Sequence, residues 1–160
     1  ASPPPAAPPP APPAPARYDF GTGSSPVEAG YAAVTAATGY TAARGYGWAA
    51  GAVHQADRGT GTALTRDFNF TPDGTFLVDL PSGAYTVTLT LGDLGPYHHD
   101  QVGVFLEGAQ ADTVSTAAGQ VVARTYPVDV ADGQLTLTLR DLGGTDPNAV
   151  ILALDIAPAG

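Results

Sequence analysis

Two stretches of this chain alternate with a strict period of two. In Tyr85-Thr-Val87-Thr-Leu89-Thr-Leu91 and in Leu135-Thr-Leu137-Thr-Leu139, every large apolar residue falls on one face and every threonine on the other. Successive side chains of a β-strand point to opposite faces, so this is the signature of strands with one dry side and one wet side. A weaker form of the same rhythm predicts strands at Arg17–Phe20, Tyr31–Thr35, Leu64–Thr71, Thr75–Leu80, Ala84–Leu91, Val102–Glu107, Val121–Val130, Gln134–Leu139 and Val150–Ile156. No segment shows a helical period. Pro72-Asp73-Gly74, Pro81-Ser82-Gly83 and Asp132-Gly133 supply turn residues. The strand Thr75–Leu80, followed by Pro81-Ser82-Gly83 and the alternating run, predicts a hairpin. Pro127 has no N–H to give a ladder, which places its strand at an edge or a bulge. Roughly eight to ten short strands with regular turns predict an all-β antiparallel sandwich, a jelly roll. The segment Gly39–Gly61 interrupts the rhythm. Rich in Gly and Ala, and holding Tyr40, Tyr46 and Trp48, it reads as a long loop of the kind that carries function.

Alternation is absent from Ala1–Ala16, which holds nine prolines, six alanines and one serine. The chain thus divides into an arm, 1–16, and a single sandwich domain, 17–160. Polyproline II has no internal hydrogen bonds and builds no core of its own. As a spacer the arm would reach roughly 50 Å at about 3.1 Å per residue. As a docking element, Pro3, Pro4, Pro5, Pro8, Pro9, Pro10, Pro12, Pro13 and Pro15 would lie in an aromatic-lined groove of a neighbouring copy. A head-to-tail contact of that kind closes a ring or propagates a filament.

Composition narrows the partners. Fifteen acids face six basic residues, all arginine, for a net charge of −9. That balance argues against nucleic acid and against anionic membranes, both of which need a cationic face. There is no cysteine and hence no disulfide or thiolate chemistry. No apolar run approaches the roughly 18 residues of a membrane span. The absence of methionine implies a processed N-terminus, and Ala-Ser suits signal-peptide removal and an extracellular or cell-surface location.

Four motifs then carry a resemblance: Tyr18-Asp-Phe-Gly-Thr-Gly; Val27-Glu-Ala-Gly-Tyr31 with Val34-Thr35; Gly45-Tyr-Gly-Trp48; and the run from Phe76 through Leu80-Pro-Ser-Gly-Ala-Tyr to Asp93. Over most of residues 17–157 the chain resembles the galactose-binding-like β-sandwich modules attached to secreted polysaccharide-degrading enzymes. The N-terminal module of rhamnogalacturonan acetylesterases is similar. The resemblance implies a jelly roll, a structural calcium in many members and a glycan site on a loop edge. It places the calcium on Asp19 and Asp155, in the first and last strands; the alternative is that both acids are merely solvated. It places a sugar-contacting amide at Asn148, although Asp146-Pro-Asn148 also reads as a plain turn. The esterase Gly-Asp-Ser block is absent, and the arm lies outside the family pattern.

Other candidates come from the residues themselves. Tyr46 and Trp48 have faces suited to stacking on sugar rings, while Trp48 suits equally a plug at one end of the core. Tyr97, His98 and His99 form a polar cluster with Asp100. Adjacent histidines diverge and rarely share a metal, so exposed loop positions or glycan contacts are expected. Arg58 is able to fork onto the carboxylate of a uronic acid, or onto a local acid such as Asp57 or Asp67. No catalytic set emerges. Ser24-Ser25 has no neighbouring base, the glycines around Gly45–Ala50 lack a strand–turn–helix setting, and the acids sit in turns. Asn69-Phe-Thr71 is a glycosylation sequon, weakened by its strand setting and by Pro72. Two functions remain. One is a non-catalytic structural subunit of an extracellular assembly, whose partner is another copy of itself. The alternative is a carbohydrate-binding module that targets a polysaccharide or a polysaccharide-degrading enzyme.

Overall fold

The computed structural model describes residues 2–5 and 16–159. Pro3, Pro4 and Pro5 are exposed and outside any regular element, while Pro8, Pro9, Pro10, Pro12, Pro13 and Pro15 lie outside the described residues. The docking role expected of the arm therefore lies mostly outside them too.

Thirteen strands make up the domain: β1 (Ala16–Phe20), β2 (Ala32–Val34), β3 (Tyr46–Ala50), β4 (His54–Asp57), β5 (Asp67–Thr71), β6 (Asp73–Asp79), β7 (Gly83–Gly92), β8 (His99–Leu106), β9 (Ala109–Thr116), β10 (Val121–Val130), β11 (Gln134–Asp141), β12 (Ala149–Ile151) and β13 (Ala153–Pro158). One sheet runs β10-β7-β13-β1-β2 and the facing sheet β3-β6-β11-β8-β9; a small third sheet, β12-β5-β4, closes one end. Among these pairs only β1 and β2 run parallel. This is the jelly-roll sandwich expected from the alternation.

The dry faces meet as the pattern requires. Val87, Leu89 and Leu91 of β7 are at most 1% exposed, and Leu135, Leu137 and Leu139 of β11 are wholly buried. Each such side chain contributes about 1.5–3 kcal/mol by leaving water. The threonines of the wet faces pair instead across strands, Thr88 with Thr125 at 3.0 Å and Thr75 with Thr138 at 3.1 Å. A second, smaller core of Phe68, Val150 and Leu152 sits under the third sheet. The run Ala149–Ile156 serves both cores. It breaks into β12 and β13 at Leu152, whose N–H donates to Thr90 O and whose carbonyl accepts from Phe20 N.

Four expectations need correction. The Pro81-Ser82-Gly83 turn does not close a hairpin, because β6 and β7 lie in opposite sheets. Both strands carry an apolar face, and crossing the layer lets those faces meet each other rather than lie side by side. Gly39–Gly61 is not one loop, since it contains β3 and β4. Gly47 in β3 has φ 143°, and a Cβ there would stand 2.4 Å from the Gly39 backbone, so glycine admits a close approach that hides the strand from any alternation rule. β9 escaped notice because its side chains are mostly exposed. His99 opens β8 with its side chain buried, rather than standing exposed in a loop. Pro127 behaves as expected, in the edge strand β10.

Candidate functional site

Three connections converge beside the small sheet: the segment joining β4 to β5, the segment joining β7 to β8, and the segment joining β11 to β12. They enclose a cleft of about 510 Å³. Gln55 and Ala56 of β4 contribute with Arg58 from the first connection, Tyr97 from the second with His99 at the start of β8, and Asp146, Pro147 and Asn148 from the third, over a floor of Phe68 and Phe70.

The first connection is held by Arg66, which forks onto Asp57 with Nε–Oδ1 and Nη2–Oδ2 both 2.9 Å. This pair keeps the Asp57 carboxyl below its usual range. Arg58 consequently turns to Asp93 rather than to Asp57 or Asp67, donating from Nε and Nη2 at 2.8 Å each. Its guanidinium lies between two rings, 5.1 Å from Phe68 and 5.2 Å from Tyr97. Gly95 makes room, since a Cβ there would stand 2.5 Å from Arg58 Nε.

Asp93 is fully buried and heavily used. It accepts Gly95 N–H at 2.7 Å and meets His99 Nε2 at 3.0 Å, while His99 Nδ1 meets Asp146 at 2.8 Å. Burial alone would raise the Asp93 carboxyl, but the bonds from Arg58, His99 and Gly95 outweigh it and hold the group below its ordinary value. Asp146 in turn accepts Asn148 N–H at 3.2 Å. Asp100 clamps the third connection by accepting the N–H groups of Thr145 and Asp146 at 2.9 and 3.0 Å, which lowers its own carboxyl. The result is a continuous polar wall, Arg58–Asp93–His99–Asp146–Asn148, whose members fix one another.

What the wall leaves for a ligand is specific. Arg58 is neutralised by Asp93. Tyr97 is 57% exposed at the rim, and neither its hydroxyl nor the Asn148 carboxamide takes part in the hydrogen bonds found among the described residues. An aromatic surface beside a free amide, in a cleft with no uncompensated cation, can hold a polyhydroxylated, uncharged molecule.

Of the residues picked from sequence, Arg58, Tyr97, His99 and Asn148 line this cleft. His98 stands beside it, facing Thr145 and Asp100. Tyr46 and Trp48 are elsewhere. Trp48 is 7% exposed, packs edge-on against Phe20 and Phe76, and donates its indole N–H to Asn69 at 3.0 Å, which is the core role and not the sugar-stacking one. Tyr46 packs on Tyr18 with ring centroids 4.7 Å apart. Asn69 is wholly buried, and Gly21 O takes its amide, so the sequon serves packing. Sequence reasoning missed Asp93, Asp146, Gln55 and Phe70 as site residues, because nothing local says that they share a cleft.

Asp19 and Asp155 stand diagonal to each other on one face of the neighbouring strands β1 and β13, where Arg17 is opposite Asp155 and Asp19 opposite Ala153. Asp155 accepts the Tyr31 hydroxyl at 2.7 Å and has Arg17 Nε 3.6 Å away at the same oxygen. The Asp19 side chain points away from its core neighbours Tyr18 and Phe20. Its Oδ2 accepts Glu28 N–H at 2.8 Å, and burial pushes the carboxyl up to about 6. Among the described residues no group of three histidines, cysteines or acids comes together as a metal cluster. No helix among them is long and apolar enough to cross a membrane.

Residues 16–157 match the family described as beta-agarase/YXIM esterase-like, galactose-binding domain-like. Beta-agarase A of Zobellia galactanivorans is 36% identical over 136 residues, covering 81% of this chain and 24% of that protein. The uncharacterized esterase YxiM of Bacillus subtilis is 31% identical over 131 residues, covering 78% of this chain and 32% of that protein. The chain therefore spans a quarter to a third of these curated relatives. The crystal structure of the Bacillus subtilis YxiM protein superposes with a TM-score of 0.71 at 28% identity, over 91% of this chain and 40% of that one. A Bacteroides uniformis beta-glucuronidase shares the fold at a TM-score of 0.70 and 13% identity, over 92% of this chain and 18% of that one. These matches favour the carbohydrate-binding reading over the structural-subunit reading. The match across residues 16–157, carried by a shared sandwich, shows that this chain belongs to the galactose-binding-like domain family of beta-agarases and YxiM-like esterases.

Proposed function

We propose that this domain is a secreted, non-catalytic carbohydrate-binding module that holds an uncharged polysaccharide in the cleft between Tyr97 and Asn148 and so keeps a polysaccharide-degrading enzyme on its substrate. The observation that carries this reading is the bidentate Arg58–Asp93 pair. A uronate or sulfated sugar would have to compete with a buried carboxylate already forked onto the guanidinium, with Asp146 adding further negative charge nearby. A neutral sugar has no such competitor. Its apolar face suits the exposed Tyr97 ring and its hydroxyls suit the Asn148 carboxamide. The similarity to a beta-agarase favours a galactan among neutral polysaccharides.

Isothermal titration against neutral and anionic polysaccharides tests the proposal. Neutral chains are expected to bind, and Tyr97→Ala and Asn148→Ala each to weaken binding about tenfold, the equivalent of about 1.4 kcal/mol, while the domain stays folded. Binding only to anionic chains, or binding untouched by both substitutions, would overturn it.

A further inference from the structure

His99 stands in the middle of the polar wall with both ring nitrogens engaged. It is 5% exposed, with Nε2 3.0 Å from Asp93 Oδ2 and Nδ1 2.8 Å from Asp146 Oδ2. A neutral imidazole offers one N–H and one lone pair, so between two carboxylates it would turn a lone pair onto an anion. Both oxygens already act as acceptors. Asp93 Oδ2 takes a proton of Arg58 Nη2 at 2.8 Å, and Asp146 Oδ2 takes the Asn148 N–H at 3.2 Å. Charge points the same way. Two carboxylates against one guanidinium leave this largely buried group negative unless His99 is positive.

Among the described residues the ring nitrogens bond to Asp93 and Asp146 alone. β5 sets the Phe68 ring edge-on to the imidazole, and β9 sets Thr116 opposite it in the ladder. Arg58 reaches His99 only through Asp93, and Tyr97 lies over Arg58. The chain neighbours His98 and Asp100 face Thr145. The local backbone serves the same end. Successive side chains of a regular strand point to opposite faces, yet His99 and Asp100 both reach the β11–β12 connection. The ladder between β8 and β9 slips between His99 and Val102, and Gln101 has φ 52°, which makes this possible.

We propose that His99 is a positioning residue of the cleft, acting as an imidazolium that holds Asp146, and through it the Asn148 carboxamide, in place for a neutral sugar; this rests on the carbohydrate-binding reading above. Glycan binding is then tied to a proton. It is complete where His99 carries both protons and weakens as pH rises and the second is lost, because one nitrogen then presents a lone pair to a carboxylate and the connection bearing Asn148 loosens. Asp93 keeps its charge throughout, since its carboxyl lies below its ordinary value.

The test uses the intact chain labelled with nitrogen-15. At about pH 7 both ring nitrogens of His99 are expected at the shift of a protonated imidazolium. A neutral galactan oligosaccharide is then titrated as pH is raised until the nitrogen shifts report loss of the second proton. Affinity is expected to fall about tenfold across that step, as for loss of one hydrogen bond to a charged group. Asp146→Asn removes one of the two carboxylates and is expected to flatten the alkaline fall. A bare ring nitrogen at about pH 7 in the wild type, or an alkaline fall that persists unchanged in Asp146→Asn, would overturn the proposal. Absence of galactan binding at any pH would sink the carbohydrate-binding reading and the positioning role with it. A chain that binds with an affinity indifferent to the proton would sink the positioning role alone.

Discussion

At the scale of single residues, the polar wall of the cleft decides most of what the domain can do. Asp93 is buried and fully partnered, so its replacement leaves Arg58 and His99 without their shared acceptor. Arg58 keeps a quarter of its side chain in water, which softens the loss. Asp93→Asn is expected to cost about 2–3 kcal/mol at neutral pH, measured as a shift in the urea midpoint. The pH dependence has a definite sign. A carboxyl whose folded value lies below its unfolded value contributes stability that is complete above the unfolded value of about 4 and is lost as pH falls through the folded one. Unfolding measured at about pH 3 and about pH 7 should show a steeper acid loss in the wild type than in Asp93→Asn. An equal slope in both would mean that Asp93 carries no linkage. Asn69 illustrates a different use of polarity. Its amide joins Trp48 to Gly21, so Asn69→Ala leaves the indole N–H buried and unpaired, at an expected cost of about 1–3 kcal/mol in the same assay.

At the scale of elements, glycine placement governs β3. This strand joins the edge of its sheet beside the 39–40 backbone, and Gly47 permits the contact through both its φ and its missing side chain. Gly47→Ala meets backbone atoms that have no room to shift, so a loss of about 2–4 kcal/mol in unfolding free energy is expected. A neutral result would show that β3 can move away without penalty. The β6–β7 connection makes a related point. A Pro-Ser-Gly turn bends the chain, but whether the bend closes a hairpin or crosses between layers depends on where the two apolar faces find partners. The Tyr85 hydroxyl, bonded to Pro81 O at 2.5 Å, holds the crossing in place.

At the scale of the whole molecule, two apolar faces pressed together supply the stability and the loops inherit rigidity from them. Leu137 is wholly buried between the sheets. Leu137→Ala should cost about 2–5 kcal/mol, with the spread set by how far the cavity collapses. Glycan binding should survive in the fraction that remains folded, because the cleft lies at the end of the sandwich and not between its layers. Binding lost in step with no change in stability would place the site elsewhere.

The alternation of leucine and threonine was enough to determine that this chain makes two-faced strands, and hence a sandwich, because burial of a strand is a local property of every second residue. The clearest strands and the edge position of Pro127 were legible in that way; of the cleft residues, Arg58, Tyr97 and His99 were picked by side-chain chemistry and Asn148 through the family resemblance. Tertiary structure alone decided the rest. It determined that Arg58 chooses Asp93, thirty-five positions away, that Trp48 turns inward to Asn69, and that Asp155 accepts the Tyr31 hydroxyl. The physical reason is common to all of these. Which polar group a charge meets depends on distances set by sheet packing, and residues far apart in the chain carry no mark in their own neighbourhood of the partner they will find.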